Sequence, residues 1–411
     1  MYVKNARIVI SRFLVATLVL VAPAAAHADV VTTWNSIIMA CTNVGRPGPT
    51  GLVDVALAHG AMHDAVQAIQ GRFEAYRYRN PAQLGIGSVN AAAAAAAYGV
   101  LAGLYGAGHA CLVGVPLPST TYGMDPGLNA GTAAAQSFLQ IQRPIFATPE
   151  DPYLGGNGPG EWRVTPGVAA AANIYMGLSK PFTLDRNRQF RPEPPPPLTS
   201  EHYRRDYDEV RLLGRLTNST RTAEQTDLAR FWGNFPAQMF EGVRSVALAN
   251  VSNVGDSARL FALAAYAAAD SQFSVYETKY FYRFWRPYTA IRFADTDGNP
   301  NTEVDATWLP FLQTPPYPDH SSGANCLTAA VTTVLQLFFE RDDVTFTVSS
   351  PVVGLLTNPR VYTRLSDVQK DVVEVRIYQG IHFRFAEDDG RQQGIRVGHW
   401  AFQKFLRSLR K

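Results

Sequence analysis

The chain has little of what marks most function classes. Only three of its 411 residues are cysteine, namely Cys41, Cys111 and Cys326. None stands in a Cys-x-x-Cys or Cys/His spacing, which argues against a zinc site or a dithiol redox centre. Three cysteines allow at most one intramolecular bridge, and at least one is expected as a buried free thiol. Charged residues make up 17% of the chain, and the net charge of +3 is not gathered into a basic run, so nucleic acid is not an expected partner. No apolar run is long enough to span a bilayer comfortably, so no stable membrane span is expected. Alternating apolar and polar stretches are scarce; residues 344–352 offer one short candidate strand.

Helical patterning is plentiful. Apolar residues recur at helical spacing over 52–70, 132–142 and 221–250, and a seven-alanine run sits within 90–104. A long Ala- and aromatic-rich helix is predicted over 259–282, another over 322–340, and closing amphipathic helices over 365–378 and 392–409. The fold class is therefore all-α, a large helical-bundle protein. Lys4, Arg7 and Arg12, a short apolar core from Phe13 to Val21, and the small-x-small triplet Ala26-His27-Ala28 read as a signal peptide over 1–28. The mature protein is then exported, to a periplasm or outside the cell. The remainder divides softly into an N-terminal helical region, 29–218, and a C-terminal helical bundle, 219–411. Phe190 to Ser200 (FRPEPPPPLTS) must be extended, because consecutive prolines exclude helix, and it reads as a rigid strap over the core.

Two metal-like patterns have plainer explanations. His59 and His63 share a helix face at i, i+4, but no third ligand is near, and packing in a helical core explains them. Asp295 to Asp305 resembles a calcium loop, yet its Gly298 falls at the fourth position and the closing glutamate is missing, so a solvated turn is expected.

Three segments point at chemistry. Lys279 and Arg286 lie seven residues apart, two helical turns or about 10.5 Å if the helix continues, so both would face one ligand; Pro287 follows. Ser322-Gly323 opens an apolar helix, where a hydroxyl, free N–H groups and the positive dipole end favour an anion; an ordinary N-cap serine looks the same. Arg376 and His382 would lie on different faces of a continuous helix, but Gly380 lets the chain turn and bring His382 back. Each piece alone is ordinary. Together they supply the converging cations and donors that a tetrahedral oxyanion needs.

In order and context these segments resemble the vanadium-dependent haloperoxidases and the related type-2 phosphatidic acid phosphatases, whose pattern is K-x6-R-P, then P-S-G-H, then S-R-x3-G-x-H-x3-D. The surrounding stretches KYFYRFWRPYTAIR, TPPYPDHSSGANCLTAA and RIYQGIHFRF, with KPFTLDRNRQFRPEPPPPLTS upstream, are similar to the haloperoxidase branch. The resemblance implies that the C-terminal bundle carries the oxyanion site. It makes Lys279, Arg286 and Arg376 a charge clamp on vanadate, or on phosphate in the same site. Ser322 and the Gly323 N–H become further donors, and His382 the residue bonded to vanadium or phosphorus. Four positions depart. Ser321 replaces the proline of the second motif, and Val375 the serine before Arg376. Ala386 stands where the trailing aspartate is expected, although Glu387 and Asp388 follow at once. Ala324 replaces the acid/base histidine. His320, four residues earlier, is a minor substitute candidate that also reads as an exposed loop residue. Phe284, Trp285 and the strap are candidate pocket walls.

The implied activity is a haloperoxidase that uses hydrogen peroxide to oxidise bromide or iodide, with an organic acceptor. Loss of the histidine should hurt phosphate-ester hydrolysis more, since protonating the leaving oxygen is worth about 10²–10⁴-fold. An exported acid phosphatase working through phosphohistidine and a non-catalytic phosphate- or vanadate-binding protein remain the alternatives.

Overall fold

Thirteen helices carry the architecture among the residues that the computed structural model describes, 28–141, 153–233 and 235–409. The expected leader lies outside those residues except for Ala28. In order the helices are α1 Val30–Gly45, α2 Gly51–Gln70, α3 Val89–Tyr105, α4 Pro118–Tyr122, α5 Gly127–Leu139, α6 Glu201–Leu213, α7 Ala223–Phe231, α8 Phe235–Asn250, α9 Val254–Tyr282, α10 Pro287–Arg292, α11 Gly323–Phe339, α12 Leu365–Tyr378 and α13 Arg384–Lys404. Two three-residue strands, β1 Phe346–Val348 and β2 Arg360–Tyr362, pair antiparallel with Phe346 opposite Tyr362. The all-α expectation holds.

Local chemistry sets most boundaries. Asp29 and Thr32 form a reciprocal capping box at α1, as Thr222 and Gln225 do at α7. Ser88 caps the alanine helix α3, in which Ala91 to Ala97 are all buried. Small side chains there let α3 approach α5, where a methyl group on Gly131 would fall 2.3 Å from the Ala92 carbonyl oxygen. The helix expected over 221–250 is two helices. Gly233 and Pro236 interrupt it, because Pro236 has no N–H to continue the ladder and is tolerated only in the first turn of α8. Helix α13 starts eight residues earlier than expected and ends at Lys404. Its glycines Gly390, Gly394 and Gly398 look like helix breakers in sequence but face α11. A methyl group on them would lie 2.5, 2.2 and 2.5 Å from the carbonyl oxygens of Ser322, Cys326 and Ala330.

The largest core joins α1–α3 and α5 to α8, α9 and α11–α13. A second, aromatic core places Tyr203, Tyr207, Phe284, Trp285, Trp308, Phe383 and Phe385 around the loops that enter α10 and α13. Phe284 and Trp285, offered above as pocket walls, are packing residues of this cluster. Cys41 and Cys111 form a disulfide, and Cys326 is a buried free thiol.

The histidine pair packs in the core as expected, whereas the 295–305 turn buries Asp297 and Asn299 rather than standing fully solvated. His59 Nε2 lies 3.0 Å from Asn35 Nδ2, and His63 Nε2 lies 3.0 Å from the Glu74 carbonyl oxygen, both in the core. Asp297 accepts from the Asn299 N–H and the Thr302 hydroxyl in a turn. Among the described residues no group of three or more His, Cys, Asp or Glu is disposed to hold a metal ion, and no helix is long and apolar enough to cross a membrane.

Candidate oxyanion site

Lys279 and Arg286 do converge, but not along one helix. Arg283 adopts the left-handed conformation (φ 53°) and closes α9, so the chain turns before Arg286 reaches the N-cap of α10. Both cations then grip the same loop from two sides. Lys279 Nζ donates to the carbonyl oxygens of Pro318 (2.9 Å) and Asp319 (2.8 Å), and Arg286 Nε donates to that of Tyr317 (2.8 Å). Arg286 Nη1 donates to the Ile381 carbonyl at 2.6 Å and lies 3.1 Å from His382 Nε2. The Tyr317 ring sits within 5.3 Å of the Lys279 ammonium and 5.0 Å of the Arg286 guanidinium, as in cation–π contacts. Both side chains are fully buried.

The third segment turns as its glycine implies. Gly380 has φ +76°, and a methyl group there would lie 2.2 Å from the Gly214 carbonyl oxygen, so both conformation and space require glycine. The turn carries His382 against Arg286. Arg376 is half-buried on α12, with Nη1 donating to Gln379 Oε1 at 2.7 Å and its guanidinium 5.1 Å from the Phe235 ring. Its charge acts on Lys279 and His382, which places it in the same electrostatic cluster.

Ser322 is an N-cap, accepting from the Asn325 N–H at 3.4 Å, while its own N–H donates to the Ala386 carbonyl at 2.8 Å. Gly323 begins α11, and its carbonyl accepts from Gln272 Nε2. Ala324 has no polar side chain to contribute. His320 is fully buried rather than exposed. Its Nε2 faces the Glu193 carbonyl at 3.2 Å, and Asp389 lies 3.9 Å away. The Pro-rich strap therefore covers His320, held also by Tyr282 donating to the Pro192 carbonyl (2.8 Å) and by the Arg191–Glu277 ion pair.

Two carboxylates complete the cluster, and sequence reasoning singled out neither as a site residue. Asp319 Oδ1 lies 2.8 Å from His382 Nδ1 and 3.5 Å from Arg286 Nη1; Glu387 Oε1 lies 3.9 Å from His382 Nδ1. Despite the 2.8 Å separation, the Asp319–His382 contact is out of line for a hydrogen bond; further polar neighbours are the Phe383 N–H beside Asp319 and the Ser322 hydroxyl beside Glu387. Glu387 follows Ala386 directly, so the carboxylate is displaced by one residue rather than lost. Asp319 comes from the opposite segment, and its only local signal is a charged residue in a Pro-rich approach to a helix N-terminus.

Burial governs the titration of the cluster. It lowers the Lys279 ammonium well below its ordinary value, helped by Arg286. It lowers His382 likewise, with Arg286, Lys279 and Arg376 adding to the effect, so the imidazole is neutral. It raises Asp319 to about 7 against the opposing pull of Arg286 and Lys279, and Glu387 to about 8 against that of Arg376. His320 is lowered to about 3 by burial and then Lys279.

The donor set suits an oxyanion. Arg286 Nη2 and Arg376 Nε are buried donors with no protein acceptor, in a cluster with three cationic side chains and a neutral imidazole. A separate cavity of about 480 Å³, lined by Gln67, Phe73, Tyr76 and Arg77 among others, shares no residue with the cluster.

Comparison with known proteins bears on the fold. Residues 259–411 match the family model described as the VCPO second helical-bundle domain. The structure of a bacterial vanadium-dependent iodoperoxidase superposes with a TM-score of 0.75 at 21% identity, covering 93% of this chain and 97% of that one. A bacterial vanadium-dependent chloroperoxidase superposes in its apo form with a TM-score of 0.70 at 16% identity, over 88% of this chain and 95% of that one. Its holo form gives 0.69 at 16% identity, over 88% and 93%. At these identities the likeness establishes a shared fold. No curated protein matches the chain in sequence.

Proposed function

We propose, from the match of residues 259–411 to the model of the VCPO second helical-bundle domain, that the protein is a vanadate-dependent haloperoxidase-like enzyme, using hydrogen peroxide to oxidise bromide or iodide. The observation that carries the reading is the meeting of Lys279, Arg286 and Arg376 around a neutral, buried His382. Lys279, Arg286 and Arg376 would neutralise the oxyanion, Ser322 and the Gly323 N–H would donate to it, and His382 would offer its lone pair to the central atom. Bound vanadate would supply the activation of peroxide. The protein's own part is to hold the imidazole neutral, to fix Arg286 through the Tyr317 and Ile381 carbonyls, and to keep bulk water out. Residues 29–218 supply the strap that closes the approach, and residues 219–411 supply the cluster. Export of the protein is supported by the Cys41–Cys111 bridge, since disulfides persist in oxidising compartments.

A binding-only reading keeps some support, because Ala324 brings no acid/base group and His320 is directed to the strap. The deciding experiment is halogenation of an activated diketone with peroxide, vanadate, and bromide or iodide. Product formation that requires vanadate supports the enzyme. Thermal stabilisation by vanadate with no product at any pH from acid to neutral supports binding alone. Release of nitrophenol from an aryl phosphate, inhibited by vanadate, would move the assignment to a phosphatase.

A further inference from the structure

The cation clamp contains acceptors that the protein does not saturate. Asp319 and Glu387 are both fully buried, with the Phe383 N–H beside Asp319 and the Ser322 hydroxyl beside Glu387, and neither neighbour gives their oxygens a well-directed hydrogen bond. Beside them, Arg286 Nη2 and Arg376 Nε are buried donors without an acceptor. Unmet donors alone would suit any oxyanion. Unmet donors together with unmet acceptors suit an oxyanion that carries a hydroxyl of its own.

We propose that the site selects protonated tetrahedral oxyanions, hydrogen phosphate and hydrogen vanadate, over sulfate, with Asp319 accepting the ligand's O–H and Glu387 as a second acceptor. The proposal rests on the oxyanion reading of the cluster and adds what the cluster distinguishes. Lys279 from α9, Arg286 before α10 and Arg376 from α12 attract any anion of the right size. A fully deprotonated anion, however, presents only lone pairs to Asp319, which lies 2.8 Å from the same imidazole that would face the ligand. That leaves two acceptors opposed in a buried site, which is costly. A ligand hydroxyl turns the same contact into a charge-assisted hydrogen bond. His320 does not relieve the opposition, because its Nε2 is engaged with the Glu193 carbonyl.

At about pH 8, hydrogen phosphate and sulfate carry the same charge of minus two, have nearly the same size and differ by one proton. Calorimetric titration of the intact protein with each ion therefore isolates the hydroxyl. Phosphate is expected to bind at least about a hundredfold more tightly, since sites built to hydrogen-bond a hydroxyl strongly reject analogues that lack it. Asp319→Asn gives the acceptor position a donor, and should bring the ratio toward unity by strengthening sulfate. Equal affinities in the unaltered protein overturn the selectivity and leave the anion site standing. Failure of phosphate, sulfate and vanadate all to bind overturns the anion site itself. An unchanged ratio in a folded Asp319→Asn protein removes Asp319 from the role. The comparison of ions needs no variant, so it stands even if the variant does not fold.

Discussion

A buried lysine whose ammonium meets two backbone carbonyls carries two duties at once. Lys279 holds the loop that places Asp319 and Ser322, and it also contributes charge to the clamp. His382 has no comparable hold on the backbone. The two residues should therefore separate by measurement. Lys279→Met leaves the Pro318 and Asp319 carbonyls without that donor, and is expected to lower stability by about 2–3 kcal/mol in urea denaturation with no ligand present. His382→Ala should instead abolish the stabilisation that vanadate gives, with a smaller loss in the empty protein. If vanadate still raises the melting temperature of His382→Ala as in the unaltered chain, the site lies elsewhere. The cations and His382 were legible in the sequence because a family pattern names them in order. Asp319 was not, because its function depends on a loop from one segment folding against a histidine from another. The argument from helical periodicity brought Lys279 and Arg286 together by a wrong path, since Arg283 ends the helix between them.

Helices α11 and α13 set the distance between Ser322 and Glu387, and the glycine stripe on α13 sets the distance between the helices. Each glycine in a helix interior costs about 1 kcal/mol of helix propensity, offset here by backbone-to-backbone approach. Gly394→Ala would put a methyl group 2.2 Å from the Cys326 carbonyl oxygen and 2.9 Å from its carbon, contacts that only a shift of the backbone can relieve. A stability loss of about 1–3 kcal/mol is expected, together with weaker oxyanion binding as α13 moves off α11; unchanged chemical denaturation would contradict the packing. The strap has its own anchor. Asp270 in the middle of α9 accepts from the N–H groups of Phe182 and Thr183 (both 2.6 Å) and Leu184 (3.1 Å), and from the Thr183 hydroxyl. Asp270→Ala should free the approach to the strap, seen as faster amide exchange across 182–198 than in the rest of the protein. Helix positions were readable in sequence wherever the apolar spacing ran unbroken, as for α2, α3 and α12. The first turns of α13 were not readable, because Gly390 takes its meaning from the neighbouring helix, and Gly233–Pro236 was overridden by apolar spacing that runs through it.

The whole molecule gathers buried ionisable groups of both kinds, and their opposed titrations shape its stability. Burial raises Asp64 to about 7, Asp270 to about 6, Asp319 to about 7 and Glu387 to about 8, from ordinary values of 3.8 for aspartate and 4.5 for glutamate. Each contributes stability that is complete below the unfolded value and is lost as pH rises through the folded one, because the unfolded chain releases its proton first. Burial lowers His59 to about 3, His63 to about 4 and His320 to about 3, and lowers His382 well below 6.5. These contribute stability that is complete above 6.5 and is lost as pH falls toward the folded values, because only the unfolded chain takes up protons there. Between about pH 4 and 6.5 the four carboxyls and four imidazoles pull in opposite directions and largely cancel. Above that window the carboxyls act against Lys279 alone, whose burial-lowered ammonium favours the folded chain as pH rises, and below it the imidazoles act together with Asp342, lowered to about 2. The melting temperature should therefore be nearly flat across the window and decline both toward pH 8 and below pH 4, at constant ionic strength. The Cys41–Cys111 bridge, closing a separation of 70 residues, should raise the whole profile by about 4 kcal/mol without changing its shape. Calorimetric scans of the oxidised protein and a Cys41→Ala/Cys111→Ala variant across that pH range test both statements. A stability maximum at pH 8 would mean that Asp319 and Glu387 ionise freely, and that the buried acceptors of the clamp are not held as the structure has them.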